Sequence, residues 1–303
     1  MTDLLQTVNE AAPWFAPTVV FVFGACVGSF LNVCIYRIPK GESIVTPGSH
    51  CACGRPIAWF DNLPILSWLI LRGRARCCGQ PFSFRYPFVE LLTAALFVAC
   101  WLQFSPGKAL AGMVLCALLI GATFIDLDHL IIPDGFTLGG AVAGVVFSLL
   151  LPALHGQSHD YLFVASLRAG RDSILGVLIG SGLVLWIALL AEAVLRKEAM
   201  GFGDVKLLGA IGAFVGWKGA VFSVFGGAVI GCLWFIAAIA WQKIAGRPAP
   251  VAPKAETPDG QPADLGFGVH IPFGPMLAAG GLLYFLVVHR WVDAYFASLS
   301  VLF

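Results

Sequence analysis

Charged residues are scarce in this sequence of 303 residues. Asp, Glu, Lys and Arg make up only 12% of the chain, whereas 59% is hydrophobic, and an ordinary soluble domain carries about 25% charged residues. This composition argues against a soluble protein and indicates a lipid bilayer as the main partner. The formal net charge is only +1, and no basic patch of the nucleic-acid-binding type is evident, so no nucleic-acid partner is expected.

The beginning of the sequence lacks the basic segment that opens a secretory signal peptide. Residues 1–13 contain no Lys or Arg ahead of the first apolar run at 14–36. A signal peptide would carry positive charge there. We therefore expect the first apolar run to be retained as a membrane helix.

Long runs without charge recur along the whole chain. Six of them approach the roughly 20 residues that a helix needs to cross the hydrocarbon core: 14–36, 109–125, 135–154, 173–191, 219–242 and 271–288. Two further spans are expected at 87–104, which contains Glu90, and at 207–217, which spans only if its helix starts within the preceding motif. The sequence predicts an all-α polytopic membrane protein with about eight transmembrane helices.

The polar segments divide this helical chain. Helix 14–36 is followed by a loop at 37–86 that holds four of the nine cysteines and is long enough for a small domain. A membrane bundle is expected over 87–303. Within it, residues 245–268 are rich in Pro, Ala and Gly without apolar periodicity, which predicts a flexible linker, and residues 154–172 are expected to form an outside loop.

The distribution of Lys and Arg predicts the orientation, because cytoplasmic loops are enriched in these residues. With both termini outside, the cytoplasmic side carries thirteen of them: Arg37, Lys40, Arg55, Arg72, Arg74, Arg76, Arg85, Arg196, Lys197, Lys206, Lys243, Arg247 and Lys254. The outside carries five: Lys108, Arg168, Arg171, Lys218 and Arg290. The 37–86 loop is therefore expected in the cytoplasm.

Two acidic residues stand at the ends of apolar runs. Asp126 lies in FIDLDHLIIPD at 124–134, and Asp204 lies in GFGDVKLL at 201–208. Ionisable groups in membrane spans are costly and are functional candidates. In the predicted topology both acids reach the cytoplasmic side at similar depth, so they can meet and share one proton. Such a pair can hydrolyse a peptide bond without metal, one acid acting as base on water and the other as proton donor.

The acids also have structural interpretations, and other acids compete for the same role. Asp204 could cap a helix, since a helix N-terminus favours a negative charge. Asp128 and Asp134 are rivals to Asp126; the former would face away from Asp126 on a helix, and the latter follows Pro133 at a helix-cap position. Within the second motif, Gly201 and Gly203 would allow another backbone to approach closely.

Several motifs together resemble the bacterial type IV prepilin peptidases, which are bifunctional leader peptidases and N-methyltransferases. The resemblance covers most of the chain and rests on GSFLNVCIYRIP at 28–39, DNLPILSW at 61–68, RYPFVELL at 85–92 and the two aspartate motifs in order. The glycine–x–glycine–aspartate motif alone also occurs in presenilin-like proteases, so the combination carries the resemblance.

The resemblance implies a catalytic pair at Asp126 and Asp204, with Gly201, Gly203 and Lys206 as supporting residues. It implies a protein of the bacterial inner membrane whose substrates are prepilins and pseudopilins with a short basic leader. These would be cut after a glycine at the cytoplasmic face, and the new N-terminus would be methylated from S-adenosylmethionine. The 37–86 loop would then be associated with methylation and the region 87–303 with peptidase activity.

The loop cysteines depart from the paired Cys-x-x-Cys motifs common in that family. Here they read Cys51-Ala52-Cys53-Gly54 and Cys77-Cys78-Gly79. Four thiols in a reducing compartment favour a structural metal over disulfides. Zinc bound by Cys51, Cys53, Cys77 and Cys78 is therefore one hypothesis, with His50 as a substitute ligand. The shifted spacing is poor for chelation, however, and free reduced thiols are the alternative.

Other readings remain open at this stage. Glu90 could serve methylation or pair with Arg85, and no glycine-rich nucleotide loop indicates where S-adenosylmethionine binds. The alternatives to a bifunctional enzyme are an intramembrane protease without methyltransferase activity, which would not need the 37–86 loop in this form, and a membrane transporter or scaffold whose acids conduct protons or cap helices.

Overall fold

The computed structural model describes residues 11–196, 200–245 and 272–300, and it is helical almost throughout. In chain order the α-helices are α1 Phe15–Arg37, α2 Leu66–Ile70, α3 Arg85–Gln103, α4 Pro106–His129, α5 Asp134–Leu150, α6 Leu162–Leu195, α7 Phe202–Ala245, α8 Gly274–Leu283 and α9 His289–Ser300. Over the described residues no β-strand forms, and only two isolated β-bridges occur. The predicted all-α fold is confirmed.

Among the described residues, six helical segments are long and apolar enough to cross a membrane: Phe15–Lys40, Arg85–Gln103, Pro106–His129, Leu162–Leu195, Phe202–Ala237 and Gly274–Phe296. Helix α5, with 17 residues, is shorter. Helix α7 is interrupted at Gly216, whose φ of 71° and ψ of 178° are not helical. A polytopic membrane protein is therefore confirmed, whereas the expected count of eight spans is not established by helix length.

Two helix boundaries in the structure differ from those expected from the sequence. Helix α6 begins at Leu162, so most of the expected outside loop 154–172 is helical, and the prediction of a loop there was wrong. Helix α7 begins at Phe202. The helix that contains the short run at 207–217 therefore does start within the preceding motif. The expected linker at 245–268 lies outside the described residues, apart from Ala245 at the end of α7.

The chain divides into two compact units at Gly121 and Ala122. In the first unit α1 packs along α3, and the contact depends on glycine. A Cβ at Gly24 would lie 2.7 Å from the Ala94 Cα, and one at Gly28 would lie 2.6 Å from the Glu90 Cα. Small residues at such positions let membrane helices approach with their backbones in contact.

The second unit is built around α7, which packs against α5, α6 and α8. Its contact with α6 is the closest of these: a Cβ at Gly176 would lie 2.1 Å from the Gly212 carbonyl oxygen. The fully buried side chains of Phe214, Leu208 and Ile211 of α7 fill the interior of this unit. The N-terminal turn of α7 is thereby held in a fixed position within the bundle.

Candidate active site and thiol cluster

Asp126 lies in the last turn of α4 and is buried. The helix ends at His129 because Leu130 adopts a left-handed conformation with φ of 54°. Pro133, which cannot donate a backbone hydrogen bond, then precedes α5. The chain thus reverses just after Asp126, and the segment that follows it returns past the carboxylate.

Asp204 is the third residue of α7 and is also buried. Its backbone N–H donates to the Gly201 carbonyl at 3.1 Å. The positive end of the helix dipole favours a carboxylate in this first turn. The position of Asp204 is more than a helix end, because Gly203, which precedes Asp204, and Gly274, which lies against Asp126, are both close to the side chain of Ile132.

Gly274, the first residue of α8, completes the surroundings of Asp126. A Cβ at this position would lie 2.6 Å from Asp126 Oδ2, so the backbone of Gly274 lies directly against this carboxylate. Among the described residues, none forms a hydrogen bond with Asp126 Oδ2 although this atom is buried. Sequence reasoning missed Gly274, since a glycine at the start of an apolar run carries no chemical signal.

Ile132 covers the space between the two aspartate segments. Its side chain would meet a Cβ placed on Gly203 at 3.3 Å and one placed on Gly274 at 3.0 Å. The close neighbour of Gly203 is thus the side chain of Ile132, and the approach of another backbone expected there remains a prediction. Gly201 is exposed, and no neighbouring atom closer than 4.0 Å would meet a Cβ there.

One further charged residue from each aspartate motif takes part in an ion pair beside the site. Lys206 Nζ lies 2.7 Å from Asp134 Oδ1. Asp134 is the first residue of α5, and the N-cap position is occupied by Pro133, so Asp134 lies one residue beyond the cap position expected for it. Lys206 therefore contacts α5 and holds the two helix starts together. Asp128 is exposed.

The four loop cysteines come together in the first unit. Cys51 Sγ lies 3.5 Å from Cys78 Sγ, and Cys53 Sγ lies 3.5 Å from Cys77 Sγ. All four sulfurs lie within 4.8 Å of one another, and His50 is not part of the group. Because Zn–S bonds are about 2.3 Å, the sulfurs of a tetrahedral zinc site lie about 3.8 Å apart. The cluster fits that geometry.

Each pair of cysteines is presented by a tight turn. Cys51 donates its N–H to Arg55 O at 2.8 Å, and Gly79 donates to Ala75 O at 2.8 Å. The backbone N–H of Cys53 lowers the pKa of the Cys51 thiol to about 7. The neighbouring thiols of Cys51 and Cys53 raise the pKa of the Cys77 thiol to about 12.

The second turn is fixed to the preceding segment of the loop. Arg76 forms a bidentate ion pair with Asp61, with distances of 2.8 to 3.0 Å. A little further on, Ile65 donates its backbone N–H to Glu90 Oε2 at 2.6 Å, although its φ of 63° is unusual for a β-branched residue. Glu90 is thus engaged in fixing the loop to α3.

Membrane-length helices with two buried carboxylates at neighbouring helix ends define a polytopic membrane protein with the site expected of an aspartic peptidase. Residues 22–104 match the bacterial peptidase A24 N-terminal domain, and residues 113–236 match the type IV leader peptidase family. The chain belongs to the type IV leader peptidase family. The resemblance inferred from the motifs is confirmed, and the chain is accordingly a multi-pass protein of the inner membrane.

Three relatives are named prepilin leader peptidase/N-methyltransferase. The protein from Myxococcus xanthus is 41% identical over 74% of this chain and 64% of its own length, so the chain spans just under two thirds of that relative. The protein from Klebsiella pneumoniae is 40% identical over 71% of this chain and 92% of its own length. The protein from Aeromonas salmonicida is 33% identical over 96% of this chain and 98% of its own length. No solved structure matches the chain significantly.

Proposed function

We propose that the chain removes the leader of prepilins and pseudopilins by means of Asp126 and Asp204, and then methylates the new N-terminus. Membership of a leader peptidase family supports the peptidase, and the names of the relatives support both activities. The observation that carries the site assignment is that two buried carboxylates from separate motifs belong to segments that pack around the same side chain, Ile132. The match to an A24 N-terminal domain over residues 22–104 favours the bifunctional enzyme over a protease without methyltransferase activity.

Hydrolysis then proceeds by acid and base catalysis. One carboxylate accepts a proton from a water molecule, whose oxygen attacks the scissile carbonyl carbon, while the protonated partner donates to the carbonyl oxygen. The backbone of Gly274 packs against the Asp126 carboxylate and limits its orientation. Lys206 and Asp134 keep the starts of α5 and α7 in register. Burial excludes bulk water and strengthens these interactions.

The distribution of basic residues supports a site at the cytoplasmic face, with both termini outside. A prepilin leader would lie in the cytoplasm and the following apolar helix in the membrane. The scissile bond would then lie at the depth of Asp126 and Asp204. The new amine would emerge on the side of the 37–86 loop, where S-adenosylmethionine supplies the methyl group.

The four thiols of Cys51, Cys53, Cys77 and Cys78 are suited to hold a structural zinc ion. The distances between their sulfurs and the soft character of thiolates support zinc. Bound zinc would link the two cysteine turns. Through Arg76 and Asp61 it would also steady the segment that leads to Ile65.

The peptidase assignment is tested by replacing each aspartate singly with asparagine and measuring cleavage of a co-expressed prepilin. Asp126→Asn and Asp204→Asn are each expected to abolish cleavage, because a carboxamide cannot accept a proton from water. Asp128→Asn is the matched control, since that side chain is exposed and two residues from Asp126. Full cleavage by either of the first two variants would refute the assignment.

A further inference from the structure

The loop between α1 and α3 presents an apolar surface outward. On the short helix α2, Leu66, Leu69 and Ile70 are spaced to lie on one side, and all three are exposed, Ile70 by 69%. The other side carries Ser67, which is buried and donates to Phe60 O at 3.4 Å. A helix in water buries its apolar side. Helix α2 instead exposes its apolar side and buries its polar side.

Neighbouring residues enlarge this surface. The 3-10 turn Trp59–Asn62 and the residue that follows it expose three more large apolar side chains. We name Trp59, Phe60, Leu63, Leu66, Leu69 and Ile70 together the outward apolar face. Trp59 is 78% exposed. Clusters of exposed large apolar side chains within one short segment are typical of contacts with a membrane or another protein.

The charges beside this face are positive. Arg72 and Arg74 follow directly after α2 and are both exposed. The acid nearest in the segment, Asp61, is already paired with Arg76 at 2.8 Å. The surface is therefore complementary to anionic groups at its edge and to hydrocarbon at its centre.

The position of the loop in the chain keeps this face close to a bilayer. The loop is tied at one end to α1 and at the other to α3. These helices are both long enough to span, and they pack with their backbones in contact at Gly24 and Gly28. Aromatic and basic residues together are typical of segments that lie in the membrane interface.

We propose that the outward apolar face lies in the headgroup region of the bilayer and that Arg72 and Arg74 bind the phosphates of anionic phospholipids. The loop is then held on the membrane surface by lipid as well as by its two helices. Each arginine near an anionic surface is expected to strengthen this docking about fivefold. The inference does not depend on the peptidase chemistry.

The full chain reconstituted in bilayers of known composition provides the test. The bilayers contain phosphatidylcholine alone or with phosphatidylglycerol, and lipids brominated near the headgroup quench nearby tryptophan fluorescence. The chain has nine Trp, so subtracting the signal of Trp59→Phe isolates Trp59. We expect Trp59 to be quenched by shallow bromines, more strongly with phosphatidylglycerol. Arg72→Gln with Arg74→Gln should remove that gain, whereas the exposed Arg290→Gln should not.

Three results would overturn the proposal. Quenching of Trp59 by aqueous iodide but not by brominated lipid would place the face in water. Protection from both quenchers would mean that a protein surface covers it. Equal quenching with and without phosphatidylglycerol would show that Arg72 and Arg74 do not select anionic lipid.

Discussion

A residue without a side chain contributes to the candidate active site as directly as the acids do. Gly274 touches Asp126 with its backbone, and the space that a Cβ would need is taken by the carboxylate itself. The sequence could predict Asp126 and Asp204 because a carboxyl group beside an apolar run is energetically costly and so attracts notice. It could not predict Gly274, whose role appears only when α8 is placed against α4.

Replacing Gly274 with alanine should therefore impair cleavage while both aspartates remain. The added Cβ would lie 2.6 Å from Asp126 Oδ2, so the carboxylate must move, and a displacement of about 1 Å can lower a rate about a hundredfold. The measurement is the cleavage rate of a prepilin by purified variant in membranes.

The matched control for that substitution is Gly135→Ala. Gly135 also lies near a helix start, in the first turn of α5, but a Cβ there would meet nothing within 4 Å. This variant should cleave at the wild-type rate. Equal activity of the two variants would show that the close approach of Gly274 to Asp126 has no bearing on catalysis.

At the scale of elements, the two cysteine turns bring together four thiols whose spacing in the sequence is unfavourable for chelation. A single intervening residue and an adjacent pair are poor chelating spacings within one turn. The turns face each other, however, so each sulfur finds its nearest partner across the pair, Cys51 with Cys78 and Cys53 with Cys77. The arrangement of the four sulfurs depends on this pairing of residues distant in sequence, which the spacing of the cysteines does not predict.

Purified protein should contain about one zinc ion per chain. Cys53→Ser combined with Cys78→Ser should release it, because two thiolates cannot complete a four-sulfur site. Elemental analysis measures the metal, and protection of the 37–86 loop from proteolysis measures the structural effect. Cys26→Ser with Cys232→Ser, two exposed thiols outside the cluster, should leave the zinc content unchanged. Metal-free wild-type protein with an equally protected loop would refute the site.

The ends of helices could be predicted where a charged residue stands at the end of the helix. The start of α6 was missed because residues 162–172 include Arg168, Arg171 and Asp172. Backbone hydrogen bonding continues through these polar residues, and Asp172 is paired with Arg171 at 2.9 Å. A charge-free run therefore marks the part of a helix within hydrocarbon and understates its full length.

For the whole molecule, the division into two units offers a physical basis for two activities. Asp126 and Asp204 lie in the unit after Gly121, whereas the thiol cluster and its loop lie in the unit before it. Each unit has its own buried residues, Val89 and Phe97 in the first and Ile211 and Leu277 in the second. We therefore expect peptidase and methyltransferase functions to be separable by mutation.

The variant Asp204→Asn should still methylate a pilin that has already been cleaved. The substitution removes a carboxylate from the second unit and leaves the first unit unchanged. The assay supplies unmethylated mature pilin and S-adenosylmethionine and measures methyl transfer to the N-terminus. The same variant should produce no methylated product from the uncut precursor, because methylation needs the free amine. Folded variant that fails on the cleaved pilin would mean that methylation requires the aspartate site.

The backbone contact between Gly176 and Gly212 limits how this protein can change over evolutionary time. At this crossing no side chain separates α6 from α7, so a larger residue at either position cannot be accommodated by repacking and must shift one helix as a body. Such a shift is carried about two turns along α7 to Asp204. Outward-facing positions of the same helix can exchange one apolar residue for another freely. Selection on peptide cleavage thus reaches two glycines that never touch a substrate, and inactive alleles can arise far from the residues that perform the chemistry.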